Sequence, residues 1–262
     1  MRFVTTMLLT ICLTGCATSG YQQFYKSYGD PKTLPDVQLL AQGENPTIYS
    51  SDDLNRDVKI LISKGFQPVG HSAFNGALED EEQVAAQAVR VGARVVLVKS
   101  AYTNTQTNTV PLFLPNNSTT YGSGTVYSGG GTASYYGSST TYGTTVVPIT
   151  SQQRRFDQNA VYFVKINKTY KFGVQLADLT PEQRAAIQRN TGAVIDIVME
   201  NSPAFVANVL PGDILIRVNG SDVRNAEHAS QLMSAAPDTG DNQLSVLRNG
   251  EEKTITVHSG AS

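Results

Sequence analysis

Few side chains in this sequence are placed to do chemistry. His71, His228 and His258 lie far apart, and none has a carboxylate or a second histidine at ligand spacing on a clear helix face. That pattern carries no metal site. Ser128 precedes Gly129 and Gly130, but between Cys16 and Lys168 the only histidine is His71. No motif there builds a serine nucleophile with its base and acid. A Ser/Lys pair stays open in principle, with no motif behind it. "YSGGGTAS" at 127–134 has glycines but no Lys-Ser/Thr ending and no flanking strand and helix, so it does not read as a phosphate cradle. No cofactor is implied. What remains is backbone chemistry: Lys171-Phe172-Gly173-Val174 reads as a loop built to hold the carboxylate end of another peptide.

The elements around that loop must come from a chain of 262 residues, long enough for one large domain or two modest ones. A formal net charge of −2 gives no charge excess toward nucleic acid, so nucleic acid is not an expected partner. Charged residues make up only 16 % and glycine is frequent, which points to a low-complexity portion.

The first fifteen residues, "MRFVTTMLLTICLTG", have a basic start at Arg2 and a short apolar stretch. That stretch is too short to span a bilayer and fits a secretory signal over residues 1–15. It ends in Leu13-Thr14-Gly15-Cys16, which resembles the lipobox of bacterial lipoproteins. The resemblance implies cleavage before Cys16 and lipidation of Cys16, with acyl chains tying the protein to a membrane. The alternative is an ordinary signal peptide or an apolar N-terminal helix. Cys12 lies in the segment to be removed, which leaves no disulfide and no cysteine metal site. Ala17 follows where Asp is the usual signal for inner-membrane retention in Gram-negative lipoproteins. The resemblance therefore implies an outer-membrane anchor facing the periplasm.

Residues 16–45 are polar with scattered Tyr and Pro and read as a weakly ordered tether with one short helix, "DVQLLAQ". A small α/β domain is expected over 46–167. "PTIYSS" is a strand candidate. "SDDLNRDVKILISKG" has Ser51, Asp52 and Asp53 at its start, Leu54, Val58 and Leu61 at helical spacing, and Gly65 as a stop. "FQPVGHSAF" is extended. "EDEEQVAAQAVRVG" reads as a helix with acids at its N-terminal end, Arg90 near its C-terminal end, a buried face of Val84, Ala88 and Val91, and Gly92 as its cap. "ARVVLVKSAY" is a central strand. Strand, helix and strand at this spacing predict a parallel crossover. "GFQPVGHSAF" and "VGARVVLVKSAYT" resemble segments of bacterial lipoproteins, a likeness that implies no activity.

From Ser100 to Gln153 there is no Asp, Glu, Lys, Arg or His. This insertion, set at 104–150, is rich in Ser, Gly, Thr and Tyr and is expected as a mobile loop between two strands that pair as a hairpin. The alternative is a sticky arm for a partner, a sugar polymer or self-association, with tyrosines as contacts. "QRRFDQNAVYFVKI" returns to a strand pattern.

From Lys168 the signals are dense. Thr180-Pro181-Glu182-Gln183 is a helix start. "AVIDIVME" is a strand, "SPAFVAN" a short helix ended by Asn208, "PGDILIRVNG" a turn, a strand and an Asn-Gly turn, and "AEHASQLMSAA" a helix. "NQLSVLRNGEEKTITV" is a hairpin around Asn249-Gly250. In this order "KFGVQLADLTPE", "ENSPAF", "LPGDILIRVNG" and "LSVLRNG" resemble a PDZ domain of the bacterial type, over 168–262. One departure is Asn208-Val209, where the family more often has Gly-Leu.

The resemblance implies an α+β protein whose C-terminal part is a β-sandwich-like barrel with two helices. It implies that the N–H groups of Phe172, Gly173 and Val174 hold a terminal carboxylate and that a peptide adds as a strand beside "VQL". Phe172, Val174 and Leu176 would line its groove with His228, Leu232 and Ala235, which share one helix face. His228 takes the helix position that in some members hydrogen-bonds a Ser or Thr two residues before the peptide end; the alternative is an exposed histidine with no partner. The alternative for the apolar groove residues is plain core packing, for which Met233 and Ala236 are the better candidates. The module is similar to those of HtrA-type periplasmic serine proteases, but the Gly-x-Ser-Gly-Gly setting is missing around Ser128. The expectation is therefore a protein that binds peptide or protein C-termini, with a possible role in an envelope complex, and not an enzyme.

Overall fold

A computed structural model describes residues 18–260. The signal segment and Cys16 lie outside the described residues. Two compact units are present. Among the described residues, one comprises residues 18–75, 79–101 and 157–260, and the other residues 76–78 and 102–156.

In the first unit, α1 (Gly20–Gln23), β1 (Tyr25–Ser27), β2 (Val37–Gln38), β3 (Thr47–Ser50), α2 (Leu54–Ser63), β4 (Phe66–Gly76) and α3 (Glu81–Val91) lead into two long strands, β5 (Val95–Ser128) and β6 (Gly131–Ile166). The sheet order is β1-β4-β6-β5-β3, with β2 also paired to β6. β3 and β5 run parallel, with Thr47 opposite Val95 and Ser50 opposite Val98. A parallel pair is therefore present, but its connection runs through α2, β4 and α3 and not through a single helix as the expected strand, helix and strand unit would.

The run "VVLV" is apolar throughout because both faces of the sheet are covered. Val96 packs with Val84 and Ala88 of α3 on one side. Val95 and Leu97 pack with Leu61 of α2 on the other. Asp53 caps α2 by accepting from the Arg56 N–H, and Gly92 closes α3 with φ +71°.

Residues 18–45 depart from the expected tether. Tyr21 is fully buried against the α3 side of the sheet, and its hydroxyl donates to Gln158 Oε1 at 3.4 Å. Ser72 Oγ donates to the Tyr21 carbonyl oxygen at 2.6 Å. Residues 25–27 pair with β4. The expected helix at "DVQLLAQ" is instead β2, because Val37 and Gln38 find strand partners in Ile166 and Lys165. Scattered aromatics are enough to anchor a segment once a sheet edge accepts its backbone.

The second unit is a β-hairpin made of the outer parts of β5 and β6. The low-charge insertion is thus paired strand and not the expected loop. Cross-strand contacts set its antiparallel register: Thr109 with Thr150 at 3.2 Å, Asn116 with Thr145 at 3.1 Å, and Thr119 with Thr140 at 3.1 Å. Thr, Tyr and Val suit a pleated ribbon, and strand pairing satisfies backbone groups that apolar burial does not. Four of its tyrosines stay in solvent: Tyr121, Tyr127, Tyr136 and Tyr142 are at least 80 % exposed.

The C-terminal part of the first unit holds β7 (Val174–Asp178), α4 (Pro181–Ile187), β8 (Ala193–Val198), α5 (Pro203–Val206), β9 (Ile214–Val218), β10 (Ser221–Asp222), α6 (Ala226–Ala235), β11 (Gly240–Arg248) and β12 (Glu251–Ser259). The sheet order is β12-β11-β9-β8-β7, with β10 on β9. The expected two helices are three, two of them short. The predicted caps are in place. Thr180 and Gln183 form a capping box, and Asn208, Asn219 and Asn249 take positive φ at their turns. Asp213 and Arg248 fasten the turn before β9 to β11 through two short bonds of 2.7 and 2.6 Å.

Candidate peptide-binding groove

The groove starts at a conformation that only glycine adopts easily. Gly173 has φ +82°, and a β-carbon there would overlap the Ser202 side chain. Backbone bonds hold the loop. The Ala204 N–H donates to the Phe172 carbonyl at 2.9 Å, and the Met199 N–H donates to the Gly173 carbonyl at 2.8 Å. The Phe172 side chain is buried in the core, so its part in the loop is played by its backbone.

β7 follows at the end of the sheet path, with β8 on one side and no strand on the other among the described residues. Val174 and Leu176 pack on the core beside Leu232 of α6, while Gln175 points the opposite way. The alternation is that of any strand half-buried on one face.

Charged side chains pin α6 to β7 at both ends. At the loop end, Lys171 Nζ donates to the Ser234 carbonyl at 3.0 Å and to the Ala236 carbonyl, and pairs with Asp238 at 2.9 Å. These are the last carbonyls of a helix, where a cation is favoured. At the far end, Asp178 Oδ1 accepts from the Ala226 N–H at 2.9 Å, the first N–H of α6. The gap between strand and helix is set by these two contacts.

Of the expected groove residues, the structure brings Phe172, Val174, Leu176 and Leu232 to one apolar cluster. Met233 is buried and Ala236 packs against the same cluster, as core residues should. Ala235 is exposed. His228 is half-buried and has a partner: the Arg224 N–H lies 3.3 Å from Nδ1 and Arg224 Nη2 lies 3.1 Å from Nε2. A neutral imidazole has one acceptor nitrogen, so it takes only one of these donors. Asp178 and the clamp role of Lys171 were not legible in the sequence, whereas Ser202 opens the short helix α5 as its sequence position suggests. Only the position of Lys171 and Asp178 at the two ends of an apolar strand pattern could have signalled them.

The family model described as "PDZ domain" matches residues 159–258. Residues 159–258 contain a PDZ domain. The match begins within β6, ahead of the PDZ sheet itself. Parts of the chain are also similar to curated proteins. A magnetosome formation protease, MamE, of Magnetospirillum gryphiswaldense is 30 % identical over 118 residues, 44 % of this chain and 15 % of the relative. A probable periplasmic serine endoprotease, DegP-like, of Pseudomonas putida is 30 % identical over 86 residues, 33 % of this chain and 18 % of the relative. The chain thus spans less than a fifth of either relative. Among solved structures, the PDZ domain of HtrA3 bound to a phage-derived ligand is similar at 20 % identity and TM-score 0.30, over 35 % of this chain and 84 % of that one. The HtrA-type protease AlgW with a decapeptide is similar at 20 % identity and TM-score 0.30, over 37 and 36 %.

Proposed function

We propose that this protein is a lipid-anchored adaptor of the bacterial envelope, held at the outer membrane through Cys16 and facing the periplasm. Its PDZ domain captures peptide C-termini or exposed strands. The observation that carries this reading is β7, a strand at the end of its sheet that begins at the glycine-built loop Phe172-Gly173-Val174 and faces α6. A peptide adds there by backbone bonds, its carboxylate meets the loop amides, and its last side chain enters between β7 and α6. His228, Leu232 and Ala235 border that entry. The probable periplasmic endoprotease among the relatives supports a periplasmic location.

Titration of the purified chain against a library of C-terminal peptides tests the reading. The expected result is saturable binding that Gly173→Glu abolishes. No saturable binding, or binding that Gly173→Glu leaves unchanged, overturns it.

The paired, uncharged hairpin favours a second reading, in which the PDZ domain docks the protein into an envelope assembly and the hairpin supplies contacts. Crosslinking in cells separates the two. One stoichiometric partner supports assembly, and many client proteins support capture.

A further inference from the structure

A strand added to β7 has two faces, and only one of them looks into the β7–α6 groove. The other looks where Gln175 looks. That side is not open solvent. The α/β domain packs there: Lys59 of α2 pairs with Asp196 of β8 at 2.6 Å, and the Glu200 N–H donates to the Ser63 carbonyl at 2.7 Å. Asp196 reaches α2 from a bulge in the β7–β8 pairing, where Gln175 faces Ile197 and Leu176 faces Ile195.

Between the two domains this contact leaves a cleft of about 430 Å³. It is lined by Ile62, Phe66 and Pro68 of the α/β domain, by Tyr170, by Lys168, and by Gln175 of β7. Ligand pockets begin at about 300 Å³ and favour domain interfaces. A second cleft of about 610 Å³ shares Ile62, Pro68 and Gln175 with it, so the space continues along the strand.

We infer that the α/β domain completes the peptide site by receiving the side chain of the penultimate residue. Residues directly opposite in an antiparallel pair point to the same face. With the last peptide residue beside Val174, the penultimate one lies opposite Gln175 and its side chain enters the cleft. Ile62, Phe66, Pro68 and the Tyr170 ring give that cleft an apolar wall beside the polar Gln67 and Gln175, and the Lys168 ammonium, 5.9 Å from the Tyr170 ring, disfavours a basic guest. The lining selects a large apolar or aromatic side chain.

The inference rests on the peptide-binding reading, and the test separates the two. Fluorescence anisotropy of the full chain is measured with peptides that differ only at the penultimate position, carrying Tyr, Leu, Gly or Lys. The expected order is Tyr, Leu, Gly, then Lys, with Tyr about tenfold tighter than Gly, as partial burial of an aromatic side chain gives. Ile62→Ala is expected to shrink the advantage of Tyr over Gly. A series that binds but spans less than about twofold, the scatter of exposed positions, overturns the inference and leaves peptide binding standing. A full Tyr advantage in Ile62→Ala also overturns it. Failure of all four peptides to bind removes the peptide-binding reading itself, and the inference with it.

Discussion

The Lys171 ammonium donates to the Ser234 carbonyl oxygen at 3.0 Å, joining the Phe172-Gly173-Val174 loop to the last turn of α6. Lys171 side-chain exposure is 23 %, and Asp238 beside it is almost fully exposed. The useful part of the contact is therefore the bond to helix carbonyls and not the ion pair. Lys171→Met keeps the stem and removes the donors. The expected cost is about 1–2 kcal/mol of PDZ stability, in line with hydrogen bonds from charged groups. Peptide affinity should fall with it, because α6 is freed at one end. Asp178→Ala removes the other pin and should cost about 1 kcal/mol, as loss of a helix cap does. Urea unfolding and peptide titration of the two variants measure this. An unchanged affinity in both would show that the groove width does not depend on these contacts.

Among the described residues, Asp213 and Arg248 form the most buried ion pair of the PDZ domain. The Asp213 side chain is 2 % exposed and takes both a two-pronged Arg248 fork and the Leu210 N–H at 2.9 Å. Removing the guanidinium leaves a buried carboxylate uncompensated, which costs about 3–5 kcal/mol. Arg248→Leu is expected to destabilise by that amount, and Arg248→Lys by less, since a lysine keeps the charge but loses the fork. Chemical denaturation of each variant checks the order. A loss of under about 1 kcal/mol for Arg248→Leu would mean that water reaches Asp213 readily.

Much of the PDZ part was legible because its signals are local. A capping Thr three residues before Gln183, Asn at the turns of Asn208, Asn219 and Asn249, and alternation through 193–198 each dictate structure within a few residues. The strands and helices between residues 47 and 98 were legible for a similar reason, but the direct pairing of β3 with β5, with β4 placed beyond β6, was not, because it depends on long-range contacts. The N-terminal segment was not. Tyr21 is buried by residues more than 50 positions away, among them Val84 and Tyr162, and no local pattern encodes that. The hairpin of 102–156 was not legible, because low apolar content implies no buried core, whereas strand pairing satisfies the backbone without one. In the candidate site, Gly173 was legible from the loop. The packing of α2 near Gln175 depends on how two domains meet, which spacing along the chain does not record.

Three tyrosines make the stability of the first unit sensitive to alkali. Tyr21, Tyr25 and Tyr162 meet near Ser72 and Gln158, and burial pushes each phenol above its ordinary value of 10.0, Tyr162 the furthest. A hydrogen bond with Ser72 opposes that shift at Tyr162 only in part. All three hold their protons more tightly folded than unfolded. Their contribution is therefore complete below pH 10 and is lost as pH rises through that value toward the folded-state ionisation. Urea midpoints should be flat from neutral pH to the onset of tyrosine ionisation and then fall. Tyr162→Phe should be less stable at neutral pH by about 1 kcal/mol, the worth of its hydroxyl bond, and should fall less steeply in alkali. Tyrosinate absorbance that appears at the ordinary pH with no loss of structure would contradict this.

The hairpin should be separable from the fold and responsible for self-association. It forms its own compact unit, and the core residues of the rest, such as Val96, Tyr162 and Phe163, come from outside it. Replacing residues 104–150 by a short Asn-Gly turn keeps the inner parts of β5 and β6 and restores a tight hairpin connection. The melting temperature of the shortened chain should stay within about 4–8 °C of the full one, the shift that 1 kcal/mol produces in a modest domain. The association behaviour should change more. A two-stranded ribbon is marginal alone in water, both of its outer edges carry backbone groups able to pair, and from Ser100 to Gln153 no charge opposes edge-to-edge contact. Sedimentation velocity of the full chain in detergent should therefore show concentration-dependent species that the shortened chain lacks. Placing Lys at Thr109 and Thr119 should suppress them as deletion does, because charges on an edge strand block pairing. A full chain that stays monomeric at every concentration would leave the ribbon stable by itself, and its exposed tyrosines would then be surface for some other partner.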